Sequence, residues 1–255
     1  MQKNPANAAA LLRPEENTMT AFSFYTNIVP LDASQHRQLR YQQVEDFSFA
    51  RKIQSVAVGA GEFFDCAVEF PIVFVRAGHG LVPVALLGAR PDENLFVAAD
   101  GKWDCSYRPL FVQRYPFITL NEAEQRLSVG FDRSCAGLQE KDGERLLDDN
   151  GQPSEGFQKL LKFLDRSHAE FLRGEALAKT LDEKKLLQPM SAQMSVDGGA
   201  QVELTGFEVV DVNKLDAMSI GEQGLLAKTG ELALIHAHLV SMRNFRKLLA
   251  RLDKK

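Results

Sequence analysis

The chain has 255 residues, of which 45% are hydrophobic and 25% are charged, and its formal net charge is −4. This length and composition are typical of a globular protein with a proper core, and they exclude a disordered or low-complexity chain. The net negative charge argues against nucleic acid or an anionic membrane as the partner, because both attract basic surfaces.

A disordered leader is predicted over residues 1–24. Its apolar run, Ala8–Leu12, is shorter than the core of about 7 to 15 residues found in signal peptides. No stretch of the chain reaches the roughly 18 apolar residues that a membrane span needs. The three cysteines, Cys66, Cys105 and Cys135, form no C-x-x-C pair and indicate reduced thiols. These features predict a cytoplasmic protein.

A β-rich part is predicted over residues 25–150. Its expected extended segments are, in chain order, Asn27–Leu31, Ala50–Val58, Cys66–Val75, Leu81–Leu87, Glu93–Ala98 and, interrupted by two prolines, Tyr107–Ile118. The run from Phe70 to Val75 is almost continuously apolar, as in a strand buried on both faces. Turns join these strands, and Asp100-Gly101 is a strong hairpin signal. Such short connections predict an antiparallel meander.

An acidic, turn-rich stretch follows between Leu127 and Pro153, and it is expected to be a solvated linker or hairpin. It contains Asp132 and a run of acidic residues near Asp148, but it lacks the ligand spacing of a calcium loop.

A helical part with one hairpin is predicted over residues 151–255. Ser154 is expected to cap a helix that runs to about Leu187, and Gly174 is expected to divide it. Two strands, Ala192–Val196 and Gln201–Val210, flank the turn signal Asp197-Gly198-Gly199. Their alternation changes phase at Gly206, which predicts a β-bulge.

The C-terminal segment is predicted to be helical, with two short pieces, Asn213–Met218 and Gly221–Thr229, before a continuous helix from Glu231 onward. The overall prediction is an α+β fold, with an antiparallel β meander in the N-terminal half and long helices plus a β-hairpin in the C-terminal half. The two parts are expected to share one core.

An aromatic and arginine-rich segment closes the predicted meander. It consists of Trp103, Tyr107, Arg108, Phe111, Arg114 and Tyr115, followed by Phe117. Arginine beside aromatic rings is typical of the energetic centres of protein interfaces. The same composition also suits an aromatic mini-core capped by cation–π contacts. The sequence leaves both interpretations open.

A metal site is the alternative that the histidines suggest. Asp165 and His168 share one face of the predicted helix, and His236 and His238 are two residues apart. On a helix His236 and His238 point about 200° apart, so the two rings do not meet at one ion. No dinucleotide, phosphate-loop, serine-hydrolase or H-E-x-x-H motif occurs. The sequence predicts no cofactor.

Several short motifs occur from the centre of the chain to its last helix. They are Phe70-Pro71-Ile72-Val73, Pro83-Val84-Ala85-Leu86-Leu87-Gly88, Glu93-Asn94-Leu95-Phe96, Gly101-Lys102-Trp103, Arg114-Tyr115-Pro116-Phe117, Gly206-Phe207 with Val210-Asp211, and Ile235-His236-Ala237-His238-Leu239 with Ser241 and Asn244. Together these motifs resemble the bacterial SapC family. The resemblance extends from about Asn27 to Leu252. It implies a link to the bacterial surface layer, or an accessory role beside cupin-like oxygenases, halogenase-like enzymes and TonB-dependent receptors.

The function expected from residues and resemblance together is that of a non-catalytic accessory or interaction protein of a bacterial cell-surface or modification system. Its partner is expected to be a protein, or further copies of the chain itself. Two alternatives stay open: a metal-assisted enzyme with a dispersed site at His168, His236 or His238, and a module that binds a small ligand or peptide.

Overall fold

The computed structural model of the chain describes residues 24–78, 80–121, 127–195 and 201–253. Residues 1–23 of the predicted leader and the Asp197-Gly198-Gly199 turn lie outside the described residues. The strands are β1 (Ile28–Pro30), β2 (Arg40–Tyr41), β3 (Ser55–Ala57), β4 (Ile72–Ala77), β5 (Gly80–Leu86), β6 (Phe117–Asn121), β7 (Leu127–Asp132), β8 (Leu138–Gln139), β9 (Glu144–Arg145), β10 (Leu187–Ser195) and β11 (Gln201–Val210). The helices are α1 (Phe63–Glu69), α2 (Leu110–Gln113), α3 (Glu155–Glu183), α4 (Val212–Asp216), α5 (Ile220–Thr229), α6 (Glu231–Ser241) and α7 (Phe245–Leu252).

These strands form three antiparallel sheets. The largest has the order β10-β11-β4-β5-β3, and the two smaller sheets have the orders β1-β7-β6 and β8-β2-β9. The predicted fold class is confirmed: helices and antiparallel sheets are mixed, and the C-terminal half holds a long helix and a strand hairpin. Strands β4 and β5 form the antiparallel pair expected within the meander, and β3 pairs with β5.

The predicted central strand is shorter than expected because a helix precedes it. Helix α1 begins at Phe63 and ends at Glu69, and β4 begins only at Ile72. In α1 the helical period is visible in the buried residues Phe63, Cys66 and Ala67. The exposed side chains of Phe64 and Val68 obscure that period in the sequence. Residues 72–75 are buried, as expected for a strand that is covered on both faces.

The predicted strand Glu93–Ala98 is wrong. Only Val97 pairs there, through a single bridge to Trp103 across the Asp100-Gly101 turn. The reason is local: the Asn94 side chain accepts a hydrogen bond from the Phe96 N–H (2.8 Å) and donates one to the Ala50 carbonyl (2.9 Å). Such side-chain contacts hold the backbone in a turn and compete with strand pairing.

Two further predicted strands are also incomplete. Within Ala50–Val58, a 3₁₀ turn ends at Ala50 and only Ser55–Ala57 is a strand. Within Tyr107–Ile118, Leu110–Gln113 is the short helix α2, and extended structure begins only at Phe117. Pro109 directly precedes α2, a position that proline tolerates because its missing N–H has no helical partner.

The stretch between Leu127 and Pro153 is not a solvated linker, since it supplies β7, β8 and β9. Asp132 is fully buried, and its carboxylate accepts hydrogen bonds from the backbone N–H groups of Thr26 (2.8 Å), Asn27 (3.2 Å) and Ser134 (2.9 Å). This acidic side chain therefore anchors the N-terminal strand region instead of facing water.

Helix α3 confirms the predicted cap, because the Ser154 side chain accepts a hydrogen bond from the Phe157 N–H at 3.2 Å. The expected division at Gly174 is wrong, since α3 is continuous from Glu155 to Glu183. Gly174 lies where the helix approaches the sheet: a Cβ there would be 2.8 Å from the Val58 carbonyl oxygen. The glycine permits close packing and does not end the helix.

The C-terminal hairpin and its bulge are confirmed. Strands β10 and β11 pair along their length, with a register shift between Met190 and Ala192 opposite Gly206, whose φ is +82°. The helix predicted from Glu231 onward is interrupted by a 3₁₀ turn at Met242–Asn244.

One buried cluster includes side chains from both parts of the chain, among them Phe74 of β4, Leu181 of α3 and Leu248 of α7. Among the described residues, no helix combines the length and hydropathy needed to cross a membrane.

Candidate functional site

The aromatic and arginine-rich segment lies mostly inside the protein. Phe111, Arg114 and Tyr115 are buried, with 3%, 6% and 9% of their surface exposed. Trp103, Tyr107 and Arg108 are half-buried. A partner can therefore reach Trp103, Tyr107 and Arg108 only in part, and the other three only after local unfolding. The predicted role of this segment in partner binding stays a prediction.

Cation–π contacts hold this segment in place. The Arg114 guanidinium carbon lies 3.9 Å from the centre of the Phe111 ring, and that of Arg108 lies 4.0 Å from the Phe47 ring. The Tyr115 ring stacks on Phe49 at a centroid distance of 3.8 Å. These contacts match the mini-core interpretation of the sequence, in which arginine planes cover aromatic rings.

A buried carboxylate, Glu62, joins its own turn to the segment that holds Tyr107 and Leu110. Glu62 is 2% exposed. Its side chain accepts hydrogen bonds from the Gly59 N–H (2.8 Å), the Leu110 N–H (2.8 Å) and the Tyr107 hydroxyl (3.0 Å). Burial raises the pKa of Glu62 to about 7, and these hydrogen bonds only partly oppose the shift. One donor of its own turn and two of the 107–110 segment give Glu62 a bracing role, which the sequence did not reveal.

The three histidines of the metal hypothesis do not form a ligand set. His168 is half-buried on α3, His236 is exposed on α6, and His238 is fully buried. Both ring nitrogens of His238 are engaged: Nδ1 contacts the Ile72 carbonyl oxygen at 2.8 Å, and Nε2 accepts from the Val210 N–H at 3.0 Å. In the described part of the chain, no group of three or more His, Cys, Asp or Glu side chains is arranged to hold a metal ion.

His238 belongs to a row of buried polar residues that we call the helix clip: His238, Ser241 and Asn244. Ser241 Oγ accepts from the Ile72 N–H at 2.9 Å, and Asn244 Nδ2 donates to the Ala67 carbonyl at 2.7 Å. The spacing of three residues places the clip on one face of α6 and of the 3₁₀ turn that follows it. It satisfies backbone groups of α1, β4 and β11, so this motif of the SapC resemblance has a structural purpose.

The cysteines are unsuited to nucleophilic chemistry. Burial is the main cause that raises the pKa of all three thiols, to about 11 for Cys105 and well above the ordinary value for Cys66. A nucleophilic cysteine needs the opposite shift. All three are free thiols.

An open groove lies between β10 and the C-terminal helical turns, with a volume of about 780 Å³. We call it the methionine groove. It is lined by Met190, Ala192, Gln193 and Met194 of β10 and by Met242, Arg243, Phe245, Arg246 and Leu249. Three of the six methionines of the chain lie here. Methionine side chains are flexible and polarizable, so surfaces rich in them adapt to differently shaped apolar partners.

The charge of the methionine groove is positive. Arg243 and Arg246 are exposed, and neither forms an ion pair with another described residue. In contrast, Lys247 and Arg251 on α7 are paired with Glu69 and Asp104. None of the described residues that line the groove is acidic. The groove is therefore positive although the whole chain has a net charge of −4, and this favours an acidic ligand.

A second cavity, of about 700 Å³, lies between the β8-β2-β9 sheet and the start of α3. Acidic and basic side chains both line it, including Asp142, Glu144 and Arg145. Because Arg145 is already paired with Asp149 (2.6 Å), the carboxylates of Asp142 and Glu144 leave the described lining of this cavity net acidic, opposite in sign to the methionine groove.

The SapC family model matches residues 31–248. No curated protein and no solved structure matches the chain.

Proposed function

The chain belongs to the SapC family, and from this premise we propose that it is a non-catalytic accessory protein that binds a protein partner in the methionine groove. The observation that carries the proposal is the groove itself: an adaptable apolar lining beside two exposed arginines that pair with no described acidic residue. Interfaces use apolar centres for affinity and charged rims for orientation and rate of association.

Two buried side chains of the kind that do chemistry, Glu62 and His238, are engaged in structural contacts, which fits a binding role. Glu62 braces its own turn against the 107–110 segment, and His238 binds two backbone groups. The sequence resemblance suggests that the partner belongs to a bacterial cell-surface or modification system. We propose a cytoplasmic location, which the three free thiols support. A partner that is nucleic acid does not fit a chain of net charge −4.

Reversing the groove charge is expected to weaken partner capture. The double variant Arg243→Glu/Arg246→Glu places two like charges against an acidic partner, and we expect its affinity to fall about 10- to 100-fold. The measurement is affinity capture from the lysate of the native bacterium, followed by calorimetric titration with the captured protein after purification.

The matched control is Lys162→Glu/Arg166→Glu on α3, where both side chains are exposed and neither forms an ion pair with a described residue. It changes net charge equally, so its affinity should equal that of the wild type. Equal losses in the two variants, or an unchanged affinity of the groove variant, would contradict the proposal. Thermal unfolding of both variants checks that the fold is retained.

A further inference from the structure

The methionine groove follows the free edge of a sheet. β10 stands at one end of the order β10-β11-β4-β5-β3 and pairs only with β11 among the described strands. Its nine residues span about 30 Å. An edge strand presents unpaired backbone N–H and C=O groups, to which an extended segment of another chain can add.

The lining residues indicate that this edge is accessible within the groove. Ala192, Gln193 and Met194 all line it, although side chains at successive strand positions point to opposite faces. A groove lined by three consecutive residues runs along the edge of the strand and not across one face. Pro189 has no N–H and the register shifts after Met190, so the stretch suited to pairing is 191–195.

The chemistry on the helix side specifies what such a strand must carry. Met242, Phe245 and Leu249 offer apolar contacts opposite β10, and Arg243 and Arg246 offer positive charge. A bound strand turns alternate side chains toward the groove and away from it. Apolar residues at alternate positions would fill the groove, and Asp or Glu residues beside them would meet the arginines.

We propose that the partner contributes an extended segment, with apolar residues at alternate positions and acidic residues beside them, which adds as a sixth strand to the edge of β10. This inference rests on the proposed function and specifies its binding mode. Backbone hydrogen bonds would fix the register of the added strand. The flexible methionines of the groove would accept leucine, isoleucine or phenylalanine side chains without strict selection.

A random twelve-residue peptide library displayed on phage, selected against the full chain, tests the chemistry. We expect enrichment of peptides that alternate apolar and acidic residues, and loss of that enrichment when the Arg243→Glu/Arg246→Glu variant is the target. A synthetic copy of a selected peptide, N-methylated at alternate amides, is expected to bind at least 10-fold more weakly than its parent. Enrichment of basic peptides, of helical i, i+4 apolar patterns, or of none would overturn the inference.

Hydrogen exchange of the full chain with its captured partner separates this inference from the proposed function. Strand addition slows the exchange of amides within 191–195, and we expect a slowing of at least 10-fold. If partner binding requires Arg243 and Arg246 but these amides exchange as before, the edge pairing is overturned and the binding role stands. If partner binding does not depend on Arg243 and Arg246, or if the complex contains only further copies of this chain, the edge pairing and the proposed function are both overturned.

Discussion

The His238→Ala variant is expected to lose about 4 to 6 kcal/mol of unfolding free energy. Truncating a fully buried ring leaves a cavity, and core truncations cost about 2 to 5 kcal/mol. The change also removes the partners of the Ile72 carbonyl and the Val210 N–H, and an unsatisfied buried group costs about 1 to 3 kcal/mol. Urea unfolding followed by circular dichroism measures the loss.

His236→Ala is the matched control, since it makes the same change two positions away at an exposed site. Its effect should stay within about 0.5 kcal/mol. Equal effects of the two variants would mean that the clip does not join α6 to β4 and β11 as described.

Replacing Glu62 by alanine is expected to cost about 3 to 6 kcal/mol, because it leaves the Gly59 N–H, the Leu110 N–H and the Tyr107 hydroxyl without their acceptor. The loss of unfolding free energy should be larger at pH 5 than at pH 8. At pH 8 the buried carboxyl of the wild type is ionised, and this already lowers the stability of the wild type. Glu140→Ala, at an exposed site, serves as the control and should be nearly neutral. A loss as small as that of the control would contradict the bracing role.

The pH dependence of stability separates the contributions of Glu62 and His238. Burial raises the pKa of Glu62 to about 7. Its contribution to the unfolding free energy is therefore fully present below pH 4.5 and is lost as the pH rises through 7. Burial lowers the pKa of His238 to about 4, so its contribution is present above pH 6.5 and is lost as pH falls through 4. Each pKa shift corresponds to a change of about 3 kcal/mol in the unfolding free energy. In the wild type, the effect of Glu62 lowers the unfolding free energy with rising pH between 4.5 and 6.5, and the effect of His238 raises it.

Single variants should therefore reveal one slope each. Glu62→Gln cannot ionise, and its remaining oxygen can still accept from Tyr107 and Leu110, so its stability should rise with pH between 4 and 6.5. In His238→Ala, stability should fall between pH 4.5 and 7. Unfolding free energies measured at half-unit pH steps test both slopes, and a flat profile in either variant would contradict the corresponding pKa shift.

Local signals in the sequence predicted much of the fold. The Ser154 cap, the β4–β5 pair and the bulge at Gly206 all follow from residues close together in the chain. Contacts between distant residues were not predictable in this way. Sheet β8-β2-β9 pairs segments about 100 residues apart, and the buried Asp132 binds the backbone of Thr26 and Asn27. Polar composition alone made that region resemble a linker.

The candidate site could not be predicted because its composition is not distinctive. An arginine beside aromatic rings has the same sequence signature at an interface and in a mini-core, and burial of Phe111, Arg114 and Tyr115 distinguishes the two. The methionine groove combines Met190 and Met194 of β10 with helical residues about 50 positions later. In the sequence, the apolar residues of the strand and of the helix each have the pattern of a buried core. Basic residues such as Arg243 and Arg246 near the C-terminal end of a helix also complement the helix dipole. In the sequence, that structural role explains them without a binding site.

The central claim is that this protein binds its partner through the methionine groove. A photoreactive benzoylphenylalanine in place of Gln193, an exposed residue of the groove, tests it directly in living cells. We predict a covalent adduct with one partner protein at Gln193, no adduct from the same substitution at the exposed Lys162 on α3, and loss of the Gln193 adduct when Arg243 and Arg246 are changed to glutamate. An adduct that forms only from the half-buried Trp103 or Tyr107, with none at Gln193, would contradict the claim.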